Sequence, residues 1–285
     1  MTALTALPHP THALSRARVR GTAGPALAAL VLVMFLVAAL WPALLTAADS
    51  AATDYTATLQ APSAAHLLGT DQLGRDLYSR LIHGTRPSLL IGLGSTAVGV
   101  LLGSVIGLLA GIGPRIIDTI LMRLTDIGLA FPEILLALLV LAVLGPGTVN
   151  VLLAIGIGSA PGYARLIRAQ AHTIHASNYV RSAVGFGIAP VVILARHVLP
   201  NAFGPVVVLA TISAGTNIII AAGLSFLGFG ARPPDPEWGL ALAEGRNFVQ
   251  HAWWIALFPG IAITLVVIAV TVLGKTLEAR GAGRR

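Results

Sequence analysis

The sequence contains no cysteine, and few of its residues are charged. The absence of cysteine excludes disulfide bonds, thiolate metal sites and thiol catalysis. Only 10% of the 285 residues are charged whereas 56% are hydrophobic, so a soluble domain would have too little polar surface to cover itself. We therefore interpret the chain as an integral membrane protein.

Six long apolar runs divide the chain, each near the roughly 20 residues that cross a bilayer core of about 30 Å. The predicted spans are 25–46, 87–112, 116–144, 149–167, 203–230 and a sixth that ends near Gly274. The first is too long for a usual cleaved signal peptide, so we expect it to be retained. The sequence thus predicts an all-α polytopic membrane protein with a tail at 1–24, a long polar loop at 47–86 and a second tail at 277–285.

Lysine and arginine are distributed unevenly between the two sides that these spans define. Orientation follows the excess of cations in cytoplasmic segments. Of the 18 basic residues, five fall on one side, at Arg75, Arg80, Arg86, Arg232 and Arg246, and the remaining thirteen fall on the other. We therefore expect both termini and residues 172–201 to be cytoplasmic, and loop 47–86 to be extracytoplasmic.

Small residues recur every four positions along the second span. Ser95 begins this series, which continues through Gly99, Gly103, Gly107 and Gly111. In lipid such a stripe lets two helix backbones approach closely and associate by van der Waals contact. We predict a helix-packing role for these glycines.

Polar residues within the spans leave two interpretations open. Arg123, Asp126 and Glu133 are spaced to lie near one face of the third span. One interpretation is an ion pair near the inner end of the span, with Glu133 separately capping a break after Pro132. The other is a stripe of charges beside an aqueous path. Ser213 and Asn217 share a face of the fifth span and either line such a path or form interhelical hydrogen bonds.

The chain lacks the residue sets that support catalysis or nucleotide binding. Gly274-Lys275-Thr276 ends a partial phosphate-loop pattern, but Ala269 stands where the first glycine is required. His172 and His175 form a close histidine pair, without neighbouring carboxylates to complete a metal site. We predict no catalytic residue, no metal site and no cofactor bound by this chain.

Residues 172–201 form a polar, basic stretch between apolar runs, and they resemble the cytoplasmic coupling loop of ABC importer permeases. The glycine-to-proline spacing of that loop's pattern is present from Gly187 to Pro200. Further resemblance to the C-type permeases of dipeptide, oligopeptide and nickel importers is carried by residues 66–76, 122–126, 130–133, 161–165, 224–228 and 236–239.

This resemblance implies a type I ABC importer permease fold, with five helices and the coupling loop in a domain at 87–276. It implies a peptide importer subunit of the prokaryotic inner membrane that pairs with a related B-type permease. Two cytoplasmic ATPases that use ATP and Mg, and an extracytoplasmic solute-binding protein, complete the implied assembly; no nucleic acid is involved. The residues it assigns to ATPase coupling are Tyr179, Arg181, Ser182, Ala183, Gly187, His197, Leu199 and Pro200.

The chain departs from the family pattern at the start of the loop, where Arg181 replaces an acidic residue and Ser182 replaces an alanine. Either an acidic counterpart in the partner ATPase compensates the first change, or coupling to the ATPase is weakened. Two alternative functions remain open, an importer of nickel or metal chelates from the same family, and an ion-coupled secondary transporter in which Glu133 would be the buried site.

Overall fold

The computed structural model describes residues 23–193, 196 and 199–282. These residues are almost entirely helical, and one isolated β-bridge joins Thr70 to Asp76. In chain order the α-helices are α1 Ala23–Leu40, α2 Leu77–Ile112, α3 Arg115–Leu129, α4 Glu133–Leu144, α5 Thr148–His175, α6 Asn178–Gly185, α7 Pro190–Ile193, α8 Leu199–Phe226, α9 Trp238–Gly245 and α10 Trp254–Ala282.

Five helices of the described chain, α1, α2, α5, α8 and α10, are long and apolar enough to cross a membrane. The helices α3 and α4 make a sixth span if the bent pair is counted as one, because their axes differ in direction by 99°. Pro132 explains the break, since it lacks a backbone N–H and disfavours a helical conformation at Phe131.

The break after Pro132 confirms the first alternative for Glu133, and it corrects the expectation that Arg123, Asp126 and Glu133 lie near a single face. Arg123 and Asp126 lie on α3, whereas Glu133 is the first residue of α4. Asp126 forms its ion pair with Arg165 of α5. Glu133 is therefore positioned independently of the two charges that precede it.

Several helices begin or end away from the predicted bounds. Helix α1 ends at Leu40, before Pro42, six residues short of Thr46. Helix α2 starts ten residues before Pro87, because the Asp76 carboxylate accepts a hydrogen bond from the Ser79 backbone N–H at 2.8 Å and caps the helix there. Helix α5 continues through His175, eight residues past Ile167, and so carries the chain well into the predicted coupling loop.

The helices converge on an apolar core at which α2, α4, α5 and α8 meet. Ile91 of α2, Leu141 of α4, Ile155 of α5 and Leu224 of α8 are all buried in it. Leu224 is the apolar member of the α8 face that also carries Ser213 and Asn217. This core fixes α8 against the other helices.

The glycine stripe of α2 lies directly against α5. A Cβ atom added at Gly103 would lie 2.4 Å from the Cβ of Tyr163 and 2.7 Å from the carbonyl oxygen of Ala160. At Gly107 it would lie 2.5 Å from the carbonyl oxygen of Ala164. Gly99 and Gly111 have similarly close neighbours on α5. The two helix backbones are thus so close that only glycine fits between them.

We predict that Gly103→Ala destabilises the protein, although alanine is the better helix former. The new methyl group would push against α5 backbone atoms, and such overpacking costs about 1–3 kcal/mol. Thermal melting of the detergent-purified chain measures the effect. Gly223→Ala is the matched control, because a Cβ there meets no atom within 4 Å and alanine's helix propensity favours it by up to about 1 kcal/mol. Equal melting of the two variants would contradict the prediction.

A buried group of charged side chains, which the sequence did not reveal, joins the polar segment before α2 and the first turn of α2 to α9. Arg75 Nε donates to Asp71 at 2.6 Å, and Arg75 and Arg80 each donate to Glu244 of α9 at 3.1 Å. All four side chains have relative exposures of 13% or less. We call these four residues the Asp71 cluster. It joins the segment before α2 to a helix more than 160 residues further along the chain.

A second buried carboxylate fixes the start of α9. Glu237 accepts hydrogen bonds from the backbone N–H groups of Gly239 and Leu240 at 2.9 and 2.8 Å, and from the Ser88 hydroxyl of α2 at 3.2 Å. Burial raises the pKa of Glu237 above its ordinary value, while these hydrogen bonds act to lower it. The predicted loop between α8 and α10 is therefore anchored on α2 at both Glu237 and Glu244.

We predict that Glu244→Gln lowers the thermal stability of the chain markedly. Removal of one carboxylate leaves two buried arginines opposite Asp71 alone, and breaking a buried ion pair costs on the order of 3 kcal/mol. The exposed Asp235, in the same loop, provides the control Asp235→Asn, for which we expect no measurable change in melting temperature. A melting temperature for Glu244→Gln equal to that of the wild type would contradict the prediction.

Candidate transport site and coupling segment

A cavity of about 340 Å³ lies between the α3–α4 break, the middle of α5 and one face of α8. Its wall combines backbone at glycines and the apolar side chains of Leu129, Phe131 and Leu209 with hydroxyl, amide and carboxyl side chains. Its lining residues include Glu133, Ser159, Tyr163, Ser213, Thr216 and Asn217. The three residues that the sequence suggested as pathway lining, Glu133, Ser213 and Asn217, are thus brought to one cavity.

Glu133 lies against the middle of α5. A Cβ added at Gly158 would lie 3.5 Å from Glu133 Cγ. Gly158 is ten residues from the start of α5, about 15 Å along the axis, and about 26 Å from the end. The Glu133 carboxyl group is consequently well inside the membrane-spanning part of the protein, where charged groups normally face protein or water rather than lipid.

Asn217 both lines the cavity and bonds to another helix. Its side-chain amide donates to the Thr96 hydroxyl of α2 at 3.0 Å, and the Asn217 side chain is buried. Lining a path and forming an interhelical hydrogen bond, the two roles that the sequence left open for Asn217, are therefore compatible. Ser213 and Thr216 contribute hydroxyl groups from the adjoining turn of α8.

Sequence reasoning missed most of the α5 contribution to the cavity. Ser159, Gly162 and Tyr163 line it, and Tyr163 also contacts the α2 glycines from its other side. One sequence signal did point to this part of α5, namely the motif at residues 161–165, which resembles the permease family. The close spacing of Gly158 and Gly162 was a second indication, because it leaves space along one face of the helix.

Two ion pairs attach α3 to α5 beyond the cavity. Arg168 donates to Asp118 through two nitrogen atoms, with an Nη2–Oδ2 distance of 2.6 Å. Arg165 pairs with Asp126, and both of those side chains are more than half exposed. Exposed pairs contribute little to stability, but together the two pairs orient α3 across α5.

The predicted coupling segment forms two short helices after α5. Val180 and Ala183 of α6 are buried against Ala171 and Ile174 of α5 and Ile193 of α7. Gly187 then turns the chain with a φ of +76°, a left-handed conformation that favours glycine. The segment is therefore packed onto the end of α5 by its apolar face.

The opposite side of the segment carries exposed residues. Ser182 and Pro200 are exposed, and Tyr179 is about half exposed, with its hydroxyl 3.4 Å from the Asn201 amide. Phe186, which the sequence did not single out, has a relative exposure of 86%. His197 and the side chains of Arg181 and Leu199 lie outside the described residues.

Residues 103–281 match the family described as binding-protein-dependent transport system inner membrane component. This match covers more than half of the chain, which therefore belongs to that family of membrane permeases.

Curated relatives extend the match toward the N-terminus. The chain is 40% identical to the dipeptide transport system permease protein DppC of Alkalihalophilus pseudofirmus, over 87% of this chain and 82% of the relative. It is 46% identical to the di/tripeptide permease DppC of Pseudomonas aeruginosa, over 77% and 73% of the two chains. It is 45% identical to the glutathione permease GsiD of Pectobacterium atrosepticum, over 79% and 75%.

Solved structures share the fold at low sequence identity. The MetNI methionine ABC transporter in an inward-facing conformation aligns with a TM-score of 0.56 and 16% identity, over 70% of this chain and 95% of the other. An amino acid ABC transporter aligns with a TM-score of 0.53 and 19% identity, over 72% and 94%. The predicted type I importer permease fold is confirmed.

Proposed function

We propose that this chain is the C-type permease subunit of an ATP-driven importer of short peptides. In this role it forms the membrane pathway together with a related B-type permease. A solute-binding protein delivers the peptide from outside, and two cytoplasmic ATP-binding subunits, which use ATP and Mg, drive transport. The permease chain itself hydrolyses no ATP.

The peptide assignment is supported by the relatives, whose names specify dipeptides, di/tripeptides and glutathione. These are all small molecules rich in amide and ammonium or carboxylate groups. The cavity presents a few hydroxyl, amide and carboxyl groups in a partly apolar lining, which is the usual composition of a site for a small polar ligand.

Helix α5 belongs both to the cavity and to the support of the coupling segment, and this observation supports the proposed transport mechanism. Its middle, around Gly158 to Tyr163, lines the cavity, and its last turns hold α6 through Ala171 and Ile174. Helix α5 is continuous between these points. A displacement of α6 by the ATPases would therefore move the cavity wall as part of a rigid body, the kind of switch that opens a pathway alternately to the two sides.

The surface that would contact the ATPase is the exposed side of the coupling segment. Phe186 has the size and exposure of an interface anchor, since aromatic side chains are enriched among residues that dominate binding energy. Most members of the family carry an acidic residue at the position of Arg181, so the charge is reversed in this chain. We therefore expect the ATPase to present an acidic residue to Arg181.

We predict that Phe186→Ala weakens binding of the ATP-binding subunits by about 30-fold, equivalent to the roughly 2 kcal/mol of an interface anchor. Peptide-stimulated ATP hydrolysis and uptake of a radiolabelled dipeptide should fall with it. The measurements are co-purification of the complete transporter and uptake into proteoliposomes.

Tyr55→Ala is the matched control for this experiment, because Tyr55 is an exposed aromatic residue in the segment before α2. We expect Tyr55→Ala to leave ATPase binding unchanged. Wild-type ATPase affinity in Phe186→Ala would argue against the proposed docking surface, and uptake that persists without ATP but collapses with the proton gradient would favour an ion-coupled transporter.

We further propose that both termini and α6 are cytoplasmic, as the distribution of basic residues predicts. Since the chain has no cysteine, single cysteines can report the side. Asp71 and Trp238 are buried and are unsuitable positions, whereas Asp235 and Ser182 are exposed. In intact cells an impermeant maleimide should label Asp235→Cys and should label Ser182→Cys only after permeabilisation. The opposite pattern would reverse the topology.

A further inference from the structure

The cavity contains a carboxyl group, that of Glu133, that forms no ion pair within the part of the chain that the structure describes. The Oε1 atom of Glu133 is buried and has no hydrogen-bond partner among the described residues. Glu133 as a whole is only half-buried, but a carboxyl oxygen that is buried without a partner is costly, so its presence in the membrane indicates a function rather than a contribution to stability.

The nearest arginines of α5 are already paired. Arg165 pairs with Asp126 and Arg168 with Asp118, both on α3. These arginines follow the cavity-lining turn of α5, yet their guanidinium groups are held by other acids. The cavity therefore favours a positively charged ligand.

We propose that Glu133, together with the hydroxyl groups of Ser213 and Thr216, forms a subsite for an ammonium group of the transported molecule. This inference rests on the proposed function, since every peptide with a free N-terminus carries such a group. An ammonium group has three N–H donors. One carboxylate and two hydroxyl oxygens supply three acceptors of the required kind.

The dimensions and access of the cavity agree with this role. Its volume of about 340 Å³ falls within the range of about 300–1,000 Å³ that is usual for small-molecule sites. Ser213 and Thr216 are three residues apart on α8 and so lie on one face, toward the cavity. Phe131, Gly162 and Thr216 are lining residues that are also exposed, so the cavity is open on their side.

The test is protection of Glu133 from a hydrophobic carbodiimide, which modifies carboxyl groups in apolar surroundings. The complete transporter is treated with the reagent alone, with Ala-Ala, with N-acetyl-Ala-Ala, or with N-acetyl-Ala-Lys, and modification of residue 133 is quantified by mass spectrometry. We expect Ala-Ala to reduce modification about tenfold, as for a directly contacted charge, and N-acetyl-Ala-Ala to have no effect. Protection by N-acetyl-Ala-Lys would show that the subsite also accepts a side-chain ammonium group.

Equal protection by Ala-Ala and N-acetyl-Ala-Ala, or protection by neither, would overturn the subsite. Uptake of Ala-Ala by the same preparation is scored separately, so a failed subsite and a failed peptide assignment give different results. The isosteric variant Glu133→Gln should raise the KM for Ala-Ala by about tenfold without lowering the melting temperature, because it removes an unpaired charge. Glu278→Gln makes the same chemical change at an exposed position of α10 and should alter neither quantity.

Discussion

Close contact between the backbones of α2 and α5 is the constraint on which the rest of the structure depends. In a bilayer, apolar side chains gain little by leaving lipid for protein, so helix association relies on van der Waals contact and hydrogen bonds. The glycines at 99, 103, 107 and 111 provide that contact over about three turns. The position of α5 relative to α2 is therefore fixed more firmly than a seam of large, interchangeable side chains would allow.

The remaining functional features are attached to α5. Its middle forms one wall of the polar cavity, its arginines hold α3, and its final turns support α6. Because α3 is bent away from α4 at Pro132, Glu133 begins a new helix beside Gly158 instead of continuing along α3. A single break in the chain thus places a carboxyl group in the cavity and leaves α3 free to lie across α5.

The sequence was informative where the physical cause is local or repeated. Span number follows from apolar runs, and the α2 stripe follows from glycine at every fourth position, as the described helices show. The cavity was only partly predictable, since Ser213 and Asn217 stood out among apolar neighbours while Ser159 and Tyr163 acquired their role through packing.

The Asp71 cluster could not be predicted, because Arg80 and Glu244 are 164 residues apart and nothing in their local sequence connects them. Phe186 was also missed, since a pattern of residue types does not show which aromatic side chain remains uncovered. In both cases the decisive information is a tertiary contact, or the lack of one in the described chain, and composition and spacing do not encode it.

The long separation within the Asp71 cluster has a consequence for biosynthesis. Arg75 and Arg80 leave the ribosome long before Glu244, and until then they have only Asp71 to share between them. The segment before α2 therefore reaches its final electrostatic environment only after α8 has been inserted and α9 has folded back onto α2. A chain interrupted before α9 would therefore keep two arginines opposite the single carboxylate of Asp71.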